Sequence, residues 1–297
     1  MGVSTRLARH RHQASIAFAV GLVALSFSAN VVWGLAIQRD LPAPKPNSNH
    51  LPFTLSTANV VSGAETLELS GRFTENATNY SDSIDWTVKS TTGEVVYSGA
   101  SVVLTLPVPP GSYVVSGHYG NVAFEDVVSL APNRSVAVNF VLNAGALRVA
   151  PHLTDQAVAA QPCTTAVFAV GGNAQGQQVA TSLRPGEILK LSAGHYRVET
   201  TFVRGNVKAT TLVEVKAGTM RSLNIALHGS LVRLPTLAQG GTWQISNGAG
   251  ETLTIAEDVT ELPLTAGTYQ AEAKQGARLI AKSFVVQDGV NLQLSLD

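Results

Sequence analysis

A single cysteine, Cys163, stands in 297 residues. One thiol excludes an intrachain disulfide framework and any multi-cysteine metal knuckle. Aromatic residues are few, at 6%, and charged residues make up only 13%. The 20 basic side chains balance 20 acidic ones, so neither sign is in excess. A nucleic-acid-binding chain needs a basic surplus, and none exists. Nor is this a disordered acidic chain, because 45% of the residues are apolar, enough to build a core. What is abundant is glycine, with 26 residues, alongside Val, Thr, Ser and Leu. That mixture predicts short strands and turns rather than helices.

Catalytic signatures are missing as well. There is no Gly-x-Ser-x-Gly elbow, no His-Glu-x-x-His and no phosphate loop. Beyond His10 and His12 no two histidines lie within four residues of each other, so no local zinc half-site forms. Asp82 with Asp85, and Glu257 with Asp258, have the residue types for a hard cation, but acids paired near turns are ordinarily just solvated. No enzymatic activity, cofactor, metal or small-molecule substrate is expected.

The N-terminus is organised for a membrane. Arg6, Arg9 and Arg11 precede a stretch without charge from Gln13 to Gln38. Its apolar run, Ala14 to Ile37, has no polar face and is long enough to span a bilayer as a helix, which takes about 20 residues. Segment 1–13 is therefore expected in the cytoplasm, 14–38 as a transmembrane or signal-anchor helix, and the remainder outside. Small residues at Ser26-Phe27-Ser28 and Gly34-Leu35-Ala36 also offer signal-peptidase sites, so secretion after cleavage stays open. Residues 39–54, with Pro42, Pro44 and Pro46, read as a stiff solvated linker.

Beyond the linker one pattern recurs three times, predicting units at 55–143, 144–227 and 228–297. Gly-x-Tyr appears as Gly111-Ser112-Tyr113, Gly194-His195-Tyr196 and Gly267-Thr268-Tyr269. Each copy follows a Leu-x-Leu pair, and each has an aromatic strand residue upstream, namely Trp86, Phe168 or Trp243. The aromatic-to-tyrosine spacings are 27, 28 and 26. A glycine turn follows each aromatic strand, at Gly93, Gly176 and Gly250, and each unit closes on an alternating strand, the last being Val290-x-Leu292-x-Leu294-x-Leu296. Apolar residues alternate at a period of two, which marks strands with one buried face. Tyr196, Val198 and Thr200 are predicted inward, Arg197 and Glu199 outward. Each tyrosine enters a strand after a sharp turn, where its hydroxyl reaches back to an upstream backbone group as a structural corner. Trp86, Phe168 and Trp243 are expected in the cores. The chain reads as all-β, three tandem Ig-like or prealbumin-like sandwiches behind one N-terminal helix.

These motifs, clearest in Leu262-Pro263-Leu264-Thr265-Ala266-Gly267-Thr268-Tyr269, resemble the carboxypeptidase regulatory-like, prealbumin-type sandwich. They are also similar to repeats appended to some bacterial von Willebrand A-domain proteins. The resemblance covers roughly residues 55–297 and implies an extracytoplasmic, non-catalytic module in a bacterial envelope. It specifies fold far better than function. The lysine that forms Lys–Asn isopeptide links in a related surface sandwich class has no counterpart in the first strands, 67–69, 147–149 and 231–233.

The balanced total hides alternation. The three units carry net charges of −5, +4 and −3. Arg184, Lys190, Arg197, Arg204 and Lys208 give the middle unit its basic character and are the candidate partner-binding residues. They would either hold the acidic neighbouring units or meet an envelope protein or anionic polysaccharide. Two roles fit such a chain. One is a membrane-anchored structural or adhesive arm at the inner membrane, its repeats in the periplasm or outside the cell. The other is an accessory or sensor subunit whose partner carries the activity.

Overall fold

The computed structural model describes residues 51–297, except 154–155, 158–161, 238–239, 257 and 296–297. The predicted helix at 14–38 and its flanks lie outside the described residues. Among those described, the secondary structure is entirely strand, β1 (Phe53–Asn59) to β23 (Leu292–Gln293), and no helix is long and apolar enough to cross a membrane. The described residues belong to one compact unit.

The strands form three successive pairs of sheets. In the first pair β1, β2 (Thr66–Arg72), β5 (Val103–Pro107) and β8 (Arg134–Val141) lie in the order β1-β8-β2-β5. Opposite them β3 (Ile84–Ser90), β4 (Val95–Ser101), β6 (Gly111–Tyr119) and β7 (Val122–Leu130) lie as β4-β3-β6-β7. The second pair repeats this plan. Here β9 (Ala144–Leu153) sits between β13 (Ile188–Ser192) and β16 (Met220–Leu227), and β10 (Gln156–Ala157) pairs the end of β9. The facing sheet is β12-β11-β14-β15, from Gln178–Ser182, Cys163–Val170, Gly194–Phe202 and Lys208–Val215. The third pair has β20-β17-β23, with β17 (Ser230–Arg233) and β20 (Glu261–Leu264). Its partner sheet is β19-β18-β21-β22, from Thr252–Ala256, Thr242–Asn247, Gly267–Gln275 and Arg278–Val286. In every unit an early strand runs parallel to the closing one, β2 with β8, β9 with β16 and β17 with β23, while β1 adds to β8 antiparallel.

The alternation in sequence appears as alternation in burial. On β14 Tyr196, Val198 and Thr200 are buried while Arg197 and Glu199 are not, and on β21 Tyr269, Ala271 and Ala273 repeat the pattern. Gly93, Gly176 and Gly250 occupy the β3–β4, β11–β12 and β18–β19 turns in left-handed conformation, with φ of 89°, 78° and 84°.

Trp86 and Trp243 are each 1% exposed. Trp86 faces Gly117, four residues beyond Tyr113, and Trp243 faces Ala273, four beyond Tyr269. The largest side chain therefore sits opposite one of the smallest, which keeps the layer at native packing density. Phe168 departs from expectation. Four residues beyond Tyr196 is Thr200, and it faces Thr165, so the place taken by tryptophan elsewhere is held here by a buried Thr165–Thr200 hydroxyl pair at 3.2 Å. Phe168 lies three positions on, on the outer face and half-buried, because parity gives the inward position to Val167. The closing strand of the third unit is also shorter than the sequence suggests. Leu292 and Gln293 pair with β17, and Leu294, buried in the core, adds its N–H to the Arg233 carbonyl at 2.9 Å.

Candidate functional site

Each Gly-x-Tyr tyrosine is buried and donates its hydroxyl to the carbonyl four residues earlier. Tyr113 reaches Pro109 at 2.6 Å, Tyr196 reaches Ser192 at 2.6 Å, and Tyr269 reaches Thr265 at 3.1 Å. Burial pushes the Tyr113 and Tyr196 hydroxyls above the ordinary phenol range. These three bonds fix the loop that carries the chain from one sheet to the other.

The units meet through a second recurring device. The β6–β7 turn is Gly120-Asn121, and the β14–β15 turn contains Gly205-Asn206. Both glycines are left-handed, with φ of 60° and 88°. Asn121 N–H donates to the Lys190 carbonyl on β13 at 3.1 Å, and Asn206 N–H donates to the Pro263 carbonyl on β20 at 3.3 Å. Lys190 and Pro263 each lie six residues before their unit's corner tyrosine, so one turn docks on one edge position twice. A Cβ at Gly120 would lie 2.6 Å from the Lys190 Cβ, and one at Gly205 would run into the Pro263 carbonyl. Glycine is thus needed at both seams for close approach as well as for φ.

The side chains around the two turns differ. At the first seam the Lys190 Nζ lies 3.5 Å from Asp82 and 4.2 Å from the centre of the Tyr119 ring. The Tyr119 hydroxyl donates to Asp82 at 3.2 Å, and burial, with the Asp82 charge added, raises that hydroxyl well above the phenol range. Asn121 Nδ2 reaches across to the Val179 carbonyl at 2.8 Å. At the second seam the fixing is neutral. Asn206 Nδ2 donates to the Tyr269 hydroxyl at 3.0 Å, while Asn206 Oδ1 accepts from Thr265 N–H at 2.9 Å. A small apolar cluster of Leu153, Cys163, Phe202, Val207 and Leu227 underlies it, with Leu231 of the third unit packed alongside. Burial raises the Cys163 thiol above its ordinary range.

Beside the first seam lies a cleft of about 850 Å³. Asn121 forms one wall, and the β11–β12 loop with Ser192 to Tyr196 forms the others.

The five basic residues do not converge on the second corner. Lys190 is consumed at the first seam, and Arg204 sits in the β14–β15 turn at the opposite end of the unit. Arg197 lies on the outer face of β14, ion-paired with Glu199 and stacked 4.4 Å above the Phe168 ring. Lys208 is exposed at the start of β15, and Arg184 is exposed in the turn before β13. Asp82, offered by the sequence as half of a cation pair, meets Lys190 and Tyr119 instead, and Glu257 lies outside the described residues. Among the described residues no group of three or more His, Cys, Asp or Glu side chains is placed to hold a metal.

No protein-family model matches the chain, and no curated protein matches it. Several solved structures are similar to it. The Bacillus anthracis TIE protein is 12% identical, with 78% of this chain covered and a TM-score of 0.25; the match spans half of that protein's length. GBS52, the minor pilin of Streptococcus agalactiae, is 9% identical over 55% of this chain and 95% of its own, with a TM-score of 0.29. A streptococcal ancillary pilin is 11% identical over 77% and 97%, at a TM-score of 0.24. At such identities and scores these likenesses carry no argument about what the chain binds.

The Gly-Asn turns have a sequence signal of their own: Gly-Asn-Val occurs twice, at 120–122 and 205–207, with both valines buried.

Proposed function

We propose that this chain is a membrane-anchored, extracytoplasmic arm of non-catalytic β-sandwich repeats of the carboxypeptidase regulatory-like type, serving a structural or adhesive role. The observation that carries it is the construction of the seams. Successive units are joined by a hydrogen-bonded turn on a strand edge rather than by a bare linker, which suits a part that holds a shape and presents surfaces. Three features support the placement: the basic N-terminal segment, the apolar run at 14–38, and the Pro-rich linker. They point to the bacterial inner membrane, with the repeats in the periplasm or outside the cell. Alkaline phosphatase fused after the last residue is expected to be active in expressing cells; an inactive fusion overturns the topology. Sequencing the mature N-terminus distinguishes the anchor from a cleaved signal. For the adhesive role, an envelope extract passed over the immobilised chain is expected to leave a salt-eluted protein or polysaccharide, held through Arg184, Arg197, Arg204 and Lys208.

A second reading, an accessory or sensor subunit, is favoured by one observation. Val127 on β7 and Leu212 on β15 each precede the residue paired with the corner tyrosine, Val285 on β22 follows it, and the three are 56%, 71% and 59% exposed. An exposed apolar residue beside the corner on each edge strand suits a protein partner. Stoichiometric co-purification of an enzyme that is lost in the Val127→Ser, Leu212→Ser, Val285→Ser triple variant supports this reading over the first.

A further inference from the structure

We propose that the cleft beside the first seam binds an uncharged, hydroxyl-rich ligand: an oligosaccharide strand without carboxylate or sulfate groups. The proposal builds on the reading of the chain as a binding arm and adds a site to it. The cleft's volume of about 850 Å³ lies within the range of small-ligand sites. No Asp, Glu, Lys or Arg lines it, although the middle unit is the most basic of the three. A charged ligand entering would shed water and meet no counter-charge. The polar groups that line it are side-chain amides, from Asn121, Asn173, Gln177 and Gln178, together with Ser192 and His195. Each amide offers a donor and an acceptor side by side, which matches neighbouring sugar hydroxyls that both give and take hydrogen bonds. Gly171, Gly172 and Gly194 leave the wall between these groups free of side-chain bulk.

The backbone argues against the other ligand that such a cleft suggests, an added peptide strand. Ala169 N–H is bonded to Gln177 and Gly176 N–H to Ala169, each at 2.9 Å. Ala193 N–H is bonded to Asn143, and the Val179 carbonyl already accepts from Asn121. A peptide recognised by main-chain pairing finds these groups spoken for. Recognition therefore falls to the side chains, and the site exists only while the Gly120-Asn121 turn stays docked.

The test uses the full chain in detergent micelles and saturation-transfer difference NMR, which observes the ligand. The probes are cellotetraose and N-acetylchitotetraose, both neutral, and tetragalacturonate as the anionic control. Saturable transfer to one or both neutral probes is expected, weaker by at least tenfold in affinity for the Asn173→Ala/Gln178→Ala double variant and unchanged for Arg197→Ala/Lys208→Ala. Both amides are exposed, and circular dichroism with an unchanged thermal midpoint verifies that the double variant is folded. Transfer to tetragalacturonate alone, transfer to none of the probes, or equal affinity in the folded double variant overturns the proposal. A chain that retains an envelope component through its basic residues while ignoring all three probes overturns the cleft and leaves the arm standing.

Discussion

The two seams use one backbone solution and two kinds of side-chain fixing. At both, a left-handed glycine and the N–H of the asparagine after it dock on the carbonyl six residues before a corner tyrosine. Around the first turn the fixing is ionic, Lys190 against Asp82 with the Tyr119 ring below, and Asp82 is largely exposed. Around the second it is neutral, with Asn206 clasping the corner tyrosine itself over a buried apolar cluster. The backbone bond decides how the units meet; the side chains decide what loosens them. The first seam should answer to salt, and the second to the loss of a hydroxyl or a methyl-sized clash.

The largest effect is expected at Gly205. Gly205→Ala forces a side chain into left-handed φ and against a backbone carbonyl, and should cost about 2–3 kcal/mol of stability by urea unfolding. Gly120→Ala meets a side-chain Cβ instead and should cost about 1–2 kcal/mol. Equal losses would erase the distinction between the seams. Next comes the corner hydroxyl. Tyr269→Phe removes the group that Asn206, Thr265 and the corner share, and should cost about 2 kcal/mol, against about 1 kcal/mol for Tyr196→Phe, which loses a single bond. An unchanged urea midpoint for Tyr196→Phe would remove the corner from the second unit.

Salt should do less. The Lys190–Asp82 pair is partly exposed, so it contributes at most about 1 kcal/mol and is screened as the Debye length falls to about 8 Å. Small-angle scattering of the full chain in a nanodisc should show extra flexibility at high salt that Lys190→Ala reproduces at low salt. A profile that ignores both would leave the first seam resting on its backbone bond alone. The smallest effect lies away from both seams. Buried Glu65 accepts hydrogen bonds from Asn133 N–H at 3.0 Å and Gly63 N–H at 2.8 Å, and these hold its carboxyl below the ordinary range, the Asn133 bond foremost. A depressed carboxyl adds stability above its unfolded pKa and loses it as pH falls through the folded one. Glu65→Gln should therefore flatten the acid limb of the pH–stability curve without touching its response to salt; superimposable curves would show that the carboxylate contributes nothing to stability.

The fold was legible because its signals are local and periodic. Alternation at a spacing of two, a glycine turn after each aromatic strand and a Gly-x-Tyr corner all act within a few residues. Phe168 differs from expectation because aromaticity does not mark the equivalent position; what does is the residue facing the one four beyond the tyrosine, where a threonine pair replaces tryptophan over glycine or alanine. The closing strand of the third unit starts later than the alternation predicts because Val290 turns back onto Gln287 ahead of it. The site was less legible. Arg184, Lys190, Arg197, Arg204 and Lys208 are close enough in sequence to suggest one patch, but strand reversal sends them to opposite ends and faces of their unit. The seams were written as Gly-Asn-Val, a tripeptide too short to stand out beside the longer repeat. The cleft is only half legible, since Asn173, Gln177 and Gln178 share one stretch while Asn121 comes from a turn in the unit before.

The lone cysteine acquires a meaning from where it is buried. Cys163 packs with Phe202 and Val207 beneath the second seam, and its thiol is held in the unreactive protonated form. While that cluster is closed the thiol is shielded from oxidants and from other chains. The thiol is uncovered only when this end of the second unit opens, and an oxidant then records the event as a sulfenic acid, or as a disulfide where another thiol is at hand. The rate at which a thiol reagent labels this one sulfur is therefore a clock for the opening of one end of one unit, read without adding any probe to the molecule.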